Sequence, residues 1–283
     1  MTPATATKAP PRRPPPRNGG NGGTSHAPTG PVLFAEIKQQ QSHRIVLYGP
    51  GGIGKTTLAA TAPGPVAFFD LDDSLAILKP SLGELDIRRV NCSPTFDGIR
   101  GALAGDGWDD INTIVIDSAT RAEEIVAEWM MANIKTDKGL YAQRMEDYSY
   151  GRGYRHLYDT FLLLVTALDT HVRAGRNVIL IAHEAVEKHP NPQGEDWLRS
   201  EPRLQNTPKS SVRARMRDWT DHLLFLGYDV AVAKGKGQGS GTRTIYPTEL
   251  PHCMAKSRKL ADPLELVLYD TTLWTQLFGK EDN

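Results

Sequence analysis

The sequence predicts an α/β fold, with a mainly parallel central sheet flanked by helices and β-hairpin elements near the C-terminus. Three observations carry this prediction. Residues 44–58, RIVLYGPGGIGKTTL, read as strand, glycine-rich turn and helix in immediate succession. Four short runs, at 45–48, 66–70, 113–117 and 178–182, are apolar over nearly their full width, as strands covered on both faces must be. Helical patterns lie between them, and such alternation belongs to a parallel sheet.

The first element, Ile45, Val46, Leu47 and Tyr48, is β-prone and leads into a complete G-x-x-x-x-G-K-[ST] pattern. Backbone N–H groups from Gly49, Pro50, Gly51, Gly52, Ile53 and Gly54 onward, apart from the proline, can close around phosphate oxygens. A helix expected over 56–62 places unpaired amides and a positive dipole end at the same phosphates. Lys55 is expected to reach the β- and γ-phosphates, the Thr56 hydroxyl to ligate Mg²⁺, and Thr57 to complete the nucleotide contacts. The expected ligands are therefore ATP, or another nucleoside triphosphate, with Mg²⁺.

The second element, in PVAFFDLDDSL, ends at Asp70, Asp72 and Asp73. One carboxylate there can orient the water that attacks a γ-phosphate and accept its proton. Asp73 or Ser74 reads more simply as the cap of the next helix. The third, TIVIDS, ends at Asp117, which fits the carboxylate that holds Mg²⁺ beside a phosphate loop, often through water. A helix is expected over 119–134. Another, over 153–174, carries Leu157, Phe161, Leu164, Val165 and Leu168 as one apolar stripe. The fourth strand, in NVILIAH, ends at His183. After Arg217 shorter strands are expected at 223–232, at 243–247 and around Met254, with KGKGQGSG at 234–241 as a mobile hairpin loop.

Composition narrows the class. The chain has 283 residues, of which 39% are hydrophobic, enough for a buried core. No apolar run is long enough to span a bilayer and no signal-peptide h-region is visible, so a cytoplasmic location without a membrane partner is expected. Cys92 and Cys253 are too few and too isolated for a disulfide framework. The formal net charge of zero hides an uneven distribution, because residues 1–30 hold Lys8, Arg12, Arg13 and Arg17 and no acidic side chain. That Pro/Gly-rich basic tail is expected to be disordered, and residues 31–283 to form the folded domain.

The order of these motifs, phosphate loop, strand ending D-x-D and strand ending D-S, resembles the RecA-type recombinase core. The resemblance implies that Asp72 stands at the place of a catalytic glutamate, one methylene shorter. It also implies that His183 is a polar sensor of the γ-phosphate that signals to a following DNA-binding loop; a strand-end histidine satisfied by its neighbours is the other reading. RIVLYGPGGIGKTTLA, YSYGRGY, NVILIAH and AKSR together make the chain similar to short phage-encoded RecA-like ATPases of single-strand annealing and recombination. Lys256 and Arg258 of AKSR resemble the K-x-K pair that reaches a neighbouring subunit's ATP, implying a homo-oligomeric filament or ring with ATP at the subunit interface.

Two segments are then expected to face single-stranded DNA. In 133–155, Arg144, Arg152 and Arg155 stand with Lys135 and Lys138 among Tyr141, Tyr148, Tyr150 and Tyr154. Cations neutralise phosphates and aromatic rings stack bases, for about 1–3 kcal/mol each. In 184–217, Arg203, Lys209, Arg213, Arg215 and Arg217 follow one another with no acid between 203 and 217. Solvated surface is the plainer reading of both. The resulting expectation is an ATP-hydrolysing, single-stranded DNA-binding protein of phage recombination, with a single-stranded DNA-binding protein as a further candidate partner. A helicase loader, a packaging motor, a P-loop kinase for a small acceptor and a nucleotide-dependent module with negligible turnover remain the alternatives.

Overall fold

Each central strand alternates its side chains between two separate cores, which is why the apolar runs have no polar face. The computed structural model describes residues 42–191, 194–233 and 236–279. Its elements in order are β1 (Arg44–Gly49), α1 (Lys55–Ala60), β2 (Val66–Asp70), α2 (Leu75–Leu82), β3 (Ile87–Arg89), α3 (Phe96–Ala104), β4 (Thr113–Asp117) and α4 (Ala119–Asn133). There follow α5 (Arg152–Arg173), β5 (Asn177–His189), β6 (Trp197–Pro202), β7 (Asn206–Thr207), β8 (Ser210–Ser211) and α6 (Val212–Trp219). The last are β9 (His222–Ala233), β10 (Lys236–Tyr246), β11 (Lys256–Ser257), β12 (Leu264–Glu265) and α7 (Thr272–Phe278).

The main sheet has ten strands, in the order β12-β10-β9-β1-β5-β4-β2-β3, with β11 added on β9 and β6 on β5. From β9 to β3 the neighbours are parallel; β10, β11, β12 and β6 join antiparallel. Val46, Tyr48, Phe69, Ile114, Ile116 and Leu180 face one way and pack with α3, α4, α5 and α6. Ile45, Leu47, Phe68, Val115, Ile179 and Ile181 face the other way and pack with α1, α2 and α7. This is the period-two alternation of a strand with both faces covered. Phe68, Phe69, Phe96 and Phe161 are fully buried, each removal from water contributing about 1.5–3 kcal/mol.

The four predicted strands and the helices at 119–134 and 153–174 stand as expected, within a few residues. The fourth strand runs further, however. β5 continues from His183 to His189 and pairs with β6, so that 184–217 is not a long loop but a hairpin, two short strands and α6. From Ala185 to His189 exposure alternates with a period of two, as in a hairpin arm. Of the loop expected at 234–241, residues 234–235 lie outside the described residues, and 236–241 belong to β10, with 236–239 paired to β9 before a register shift. The expected basic tail lies outside the described residues. Cys253 is buried, Cys92 is half-buried, and neither is in a disulfide. Among the described residues, no helix is long and apolar enough to cross a membrane.

Candidate functional site

The parallel register brings the chemistry-bearing residues to one end of the sheet. Gly49 pairs with His183 between β1 and β5, and Asp70 pairs with Asp117 between β2 and β4. β5 lies between the phosphate-loop strand and the Asp117 strand, so side chains from four strands surround the space above them. The carboxyl end of a parallel sheet is where such folds bind ligands.

Two glycines shape the loop. A Cβ on Gly49 would lie 2.2 Å from the Leu226 carbonyl oxygen, so that only glycine fits against β9. Gly54, at φ 109°, is the N-cap of α1 in the left-handed region, which glycine adopts without penalty. Lys55 Nζ donates to the carbonyls of Gly49 and Pro50, both at 2.8 Å, and so lies folded over its own loop. Burial lowers the Lys55 pKa, against the opposing pull of Asp117, Glu184 and Asp72. An anion such as phosphate would offset that cost.

Thr56 Oγ1 donates to Asp117 Oδ2 at 2.6 Å. Burial raises the Asp117 pKa; the Thr56 hydrogen bond lowers it, and the charges of Asp72 and Asp70 raise it further. A hydroxyl and a buried carboxylate, oxygens only, are the donor set that suits Mg²⁺. These two residues would hold the cation, which when bound neutralises charge on the phosphates.

The three carboxylates after β2 divide their roles. Asp70 accepts from Ser74 N at 2.8 Å and from Leu75 N at 3.3 Å, so it holds the start of α2. Ser74 is the N-cap residue as expected, but its side chain makes no capping bond and the accepting carboxylate is Asp70, not Asp73. Asp73 pairs instead with Arg89 at 2.6 Å. Asp72 Oδ2 lies 3.3 Å from His183 Nε2 and its side chain is 29% exposed, open to the space over the loop. Asp72 and His183 therefore meet, a contact no spacing argument foresaw.

His183 N donates to Thr120 Oγ1 at 3.1 Å, and Thr120 Oγ1 in turn donates to the Arg203 carbonyl, also at 3.1 Å. Arg203 N donates to the His183 carbonyl at 2.8 Å. The strand end beside Asp72 is thus tied directly to the start of the cationic segment. Thr120 was not singled out from sequence; its place three residues after Asp117 is the signal that was available. Arg243 was missed as well: its Nη1 donates to the Ile53 carbonyl at 3.0 Å, from a strand with no motif.

The expected DNA contacts separate into two groups. Arg144, Arg203, Lys209 and Arg215 are exposed. Arg152 and Arg155 are also exposed but pair with Asp137 and Asp159. Arg213 is buried and bridges Glu201 and Glu187, so it is a core ion pair and not a phosphate contact. Tyr148 is likewise buried, its hydroxyl donating to the Ile134 carbonyl at 2.7 Å, whereas Tyr150 is 94% exposed. Lys256 Nζ donates to the Arg217 and Thr220 carbonyls, and Arg258 pairs with Asp221 at 3.0 Å. Both stand at the β11 end of the sheet, where Ser257 pairs with His222 and His222 with Ile45, opposite the phosphate loop. Neither reaches the nucleotide site of its own chain.

A phosphate loop on β1, Asp117 on β4, a strand between them and this mostly parallel sheet define a P-loop ATPase with a RecA-like core. The chain belongs to the AAA domain family, which matches residues 41–259. Among solved structures it is similar to a KaiC-like protein from the hyperthermophilic archaeon Pyrococcus horikoshii OT3. That match has 16% identity and a TM-score of 0.35, and covers 72% of this chain and 76% of that one. No curated protein sequence matches.

Proposed function

We propose that this ATPase binds single-stranded DNA under control of its nucleotide and serves phage recombination or annealing in the host cytoplasm, as a homo-oligomer. The observation that carries the reading is the linkage from Asp72 through His183 and Thr120 to Arg203. A group that senses the γ-phosphate is hydrogen-bonded to the segment bearing Arg203, Lys209 and Arg215. Exposed Tyr141 and Tyr150, with Arg144, offer rings and charge suited to a single strand.

In the hydrolytic step Lys55 leaves the Gly49 and Pro50 carbonyls for the phosphates, and backbone amides of the loop hold their oxygens. Asp72 orients the attacking water and takes its proton, while His183 holds the Asp72 carboxylate in place. Lys256 and Arg258, remote from their own site, would serve the ATP of an adjoining subunit in such an oligomer, where a cation stabilises charge on the transferred phosphoryl group. A single-stranded DNA-binding protein is the further partner this reading anticipates.

The test is the salt dependence of oligo-dT binding by wild type and by Arg203→Ala/Lys209→Ala/Arg215→Ala. Loss of three contacts is expected to reduce the slope of log K against log salt by about 2. An unchanged slope would place the DNA elsewhere.

A further inference from the structure

We propose that Leu268 and Arg243 form a shelf on the flank of the phosphate loop that seats the aromatic base of the bound nucleoside triphosphate. The phosphate loop itself reads only phosphates and Mg²⁺. The base is tethered to those phosphates through a single ribose, so it must land on a surface that borders the loop. Leu268 is such a surface: a Cβ placed on Gly54 would lie 2.6 Å from Leu268 Cδ2. Leu268 follows Val267 and precedes Tyr269, and the three are 49%, 36% and 47% exposed. Leu268, seated on the loop and partly open to solvent, calls for an apolar, flat occupant, which the base is.

The turn that carries them is held in place. Leu266 is buried, and its N–H donates to the Arg243 carbonyl at 2.8 Å. Asp270 N donates to the Val267 carbonyl at 3.3 Å, and Asp270 accepts from Thr272 N at 3.0 Å where α7 begins. Arg243 forms the second part of the shelf. Its Nη1 is bound to the Ile53 carbonyl, and its guanidinium lies 5.9 Å from the centre of the half-open Tyr228 ring. A guanidinium fixed in this way offers a planar face on which a base can stack. On the opposite side the loop faces Asp72 and Asp117, which suits water and cation and not a heteroaromatic ring. Leu268 lies beyond residues 41–259, which the family matches, and Arg243 lies within them.

The inference rests on the nucleotide-binding reading, and the test separates the two. Calorimetric affinities for ATP and for inorganic tripolyphosphate, both with Mg²⁺, are compared in wild type, Leu268→Ser and Leu268→Met. Tripolyphosphate has no base, so its binding also reports that the loop is intact. Leu268→Ser is expected to weaken ATP by at least about tenfold, from lost apolar contact, with tripolyphosphate unchanged and Leu268→Met near wild type. ATP affinity unaltered in Leu268→Ser, or an equal loss for both ligands, would overturn the shelf. Wild type binding neither ligand would overturn the phosphate-loop reading and the shelf with it.

Discussion

Thr56 Oγ1 and Asp117 Oδ2, 2.6 Å apart, join the first turn of α1 to the end of β4, although β5 separates their strands. Both oxygens face the space a cation would share, so each should be needed for Mg²⁺-dependent turnover. Thr56→Ala and Asp117→Asn are each expected to lower phosphate release at saturating ATP by at least about a hundredfold, the several kcal/mol a bound metal supplies.

Asp72 lies 3.3 Å from His183, and in the proposed hydrolytic step it is the group that accepts the proton. Asp72→Asn should retain ATP binding and lose about 10²–10⁴-fold in single-turnover hydrolysis, the span of general-base contributions. Asp72→Glu should hydrolyse faster than wild type, since the added methylene brings the carboxylate nearer the attacking water. A slower Asp72→Glu would show that the shorter side chain is the one matched to this site.

Glu123 gives a pH dependence of stability. Its carboxylate accepts from Gln205 N at 2.9 Å and 3.0 Å, yet burial raises its pKa from 4.5 to about 7. Because the folded-state value lies above the unfolded one, this group's stabilising contribution is complete below about pH 4.5 and is lost as pH rises through 7. Glu123→Gln should flatten that part of the stability curve and raise stability at pH 8, by at most about 3 kcal/mol. Urea unfolding at a series of pH values measures it.

Arg213 and Arg215 stand two residues apart and should behave oppositely. Arg213 and Glu201 are 5% and 3% exposed, so Arg213→Ala strips Glu201 Oε2 of its partner while His189 and Arg199 stay on Oε1, and should cost about 1–3 kcal/mol. Arg215 is exposed, and Arg215→Ala should change stability by no more than about 0.5 kcal/mol. Denaturant midpoints for the two variants distinguish a core ion pair from a surface cation.

That contrast also marks what sequence could convey. The phosphate loop, Asp117 and the four central strands were legible because each needs a local pattern: glycines at a turn, a hydroxyl after a lysine, an apolar run ending in a carboxylate. Arg213 was misread because a run of like charges looks solvated; its acid partners, Glu187 and Glu201, come from the hairpin of β5 and β6, whose pairing was not anticipated. Arg243 and Leu268 were invisible for a similar reason. They meet Gly54 only because β10 and the turn after β12 fold back across the sheet. Thr120 and His183 lie 63 positions apart, and only the parallel register of β4 and β5 brings them together.

The most direct measurement is fluorescence anisotropy of labelled oligo-dT with no nucleotide, with ADP and with a nonhydrolysable ATP analogue, for wild type and Lys55→Ala. Binding that tightens with the analogue in wild type, and does not respond in Lys55→Ala, is the predicted result. Absence of binding under every condition, or binding indifferent to nucleotide, would contradict the account.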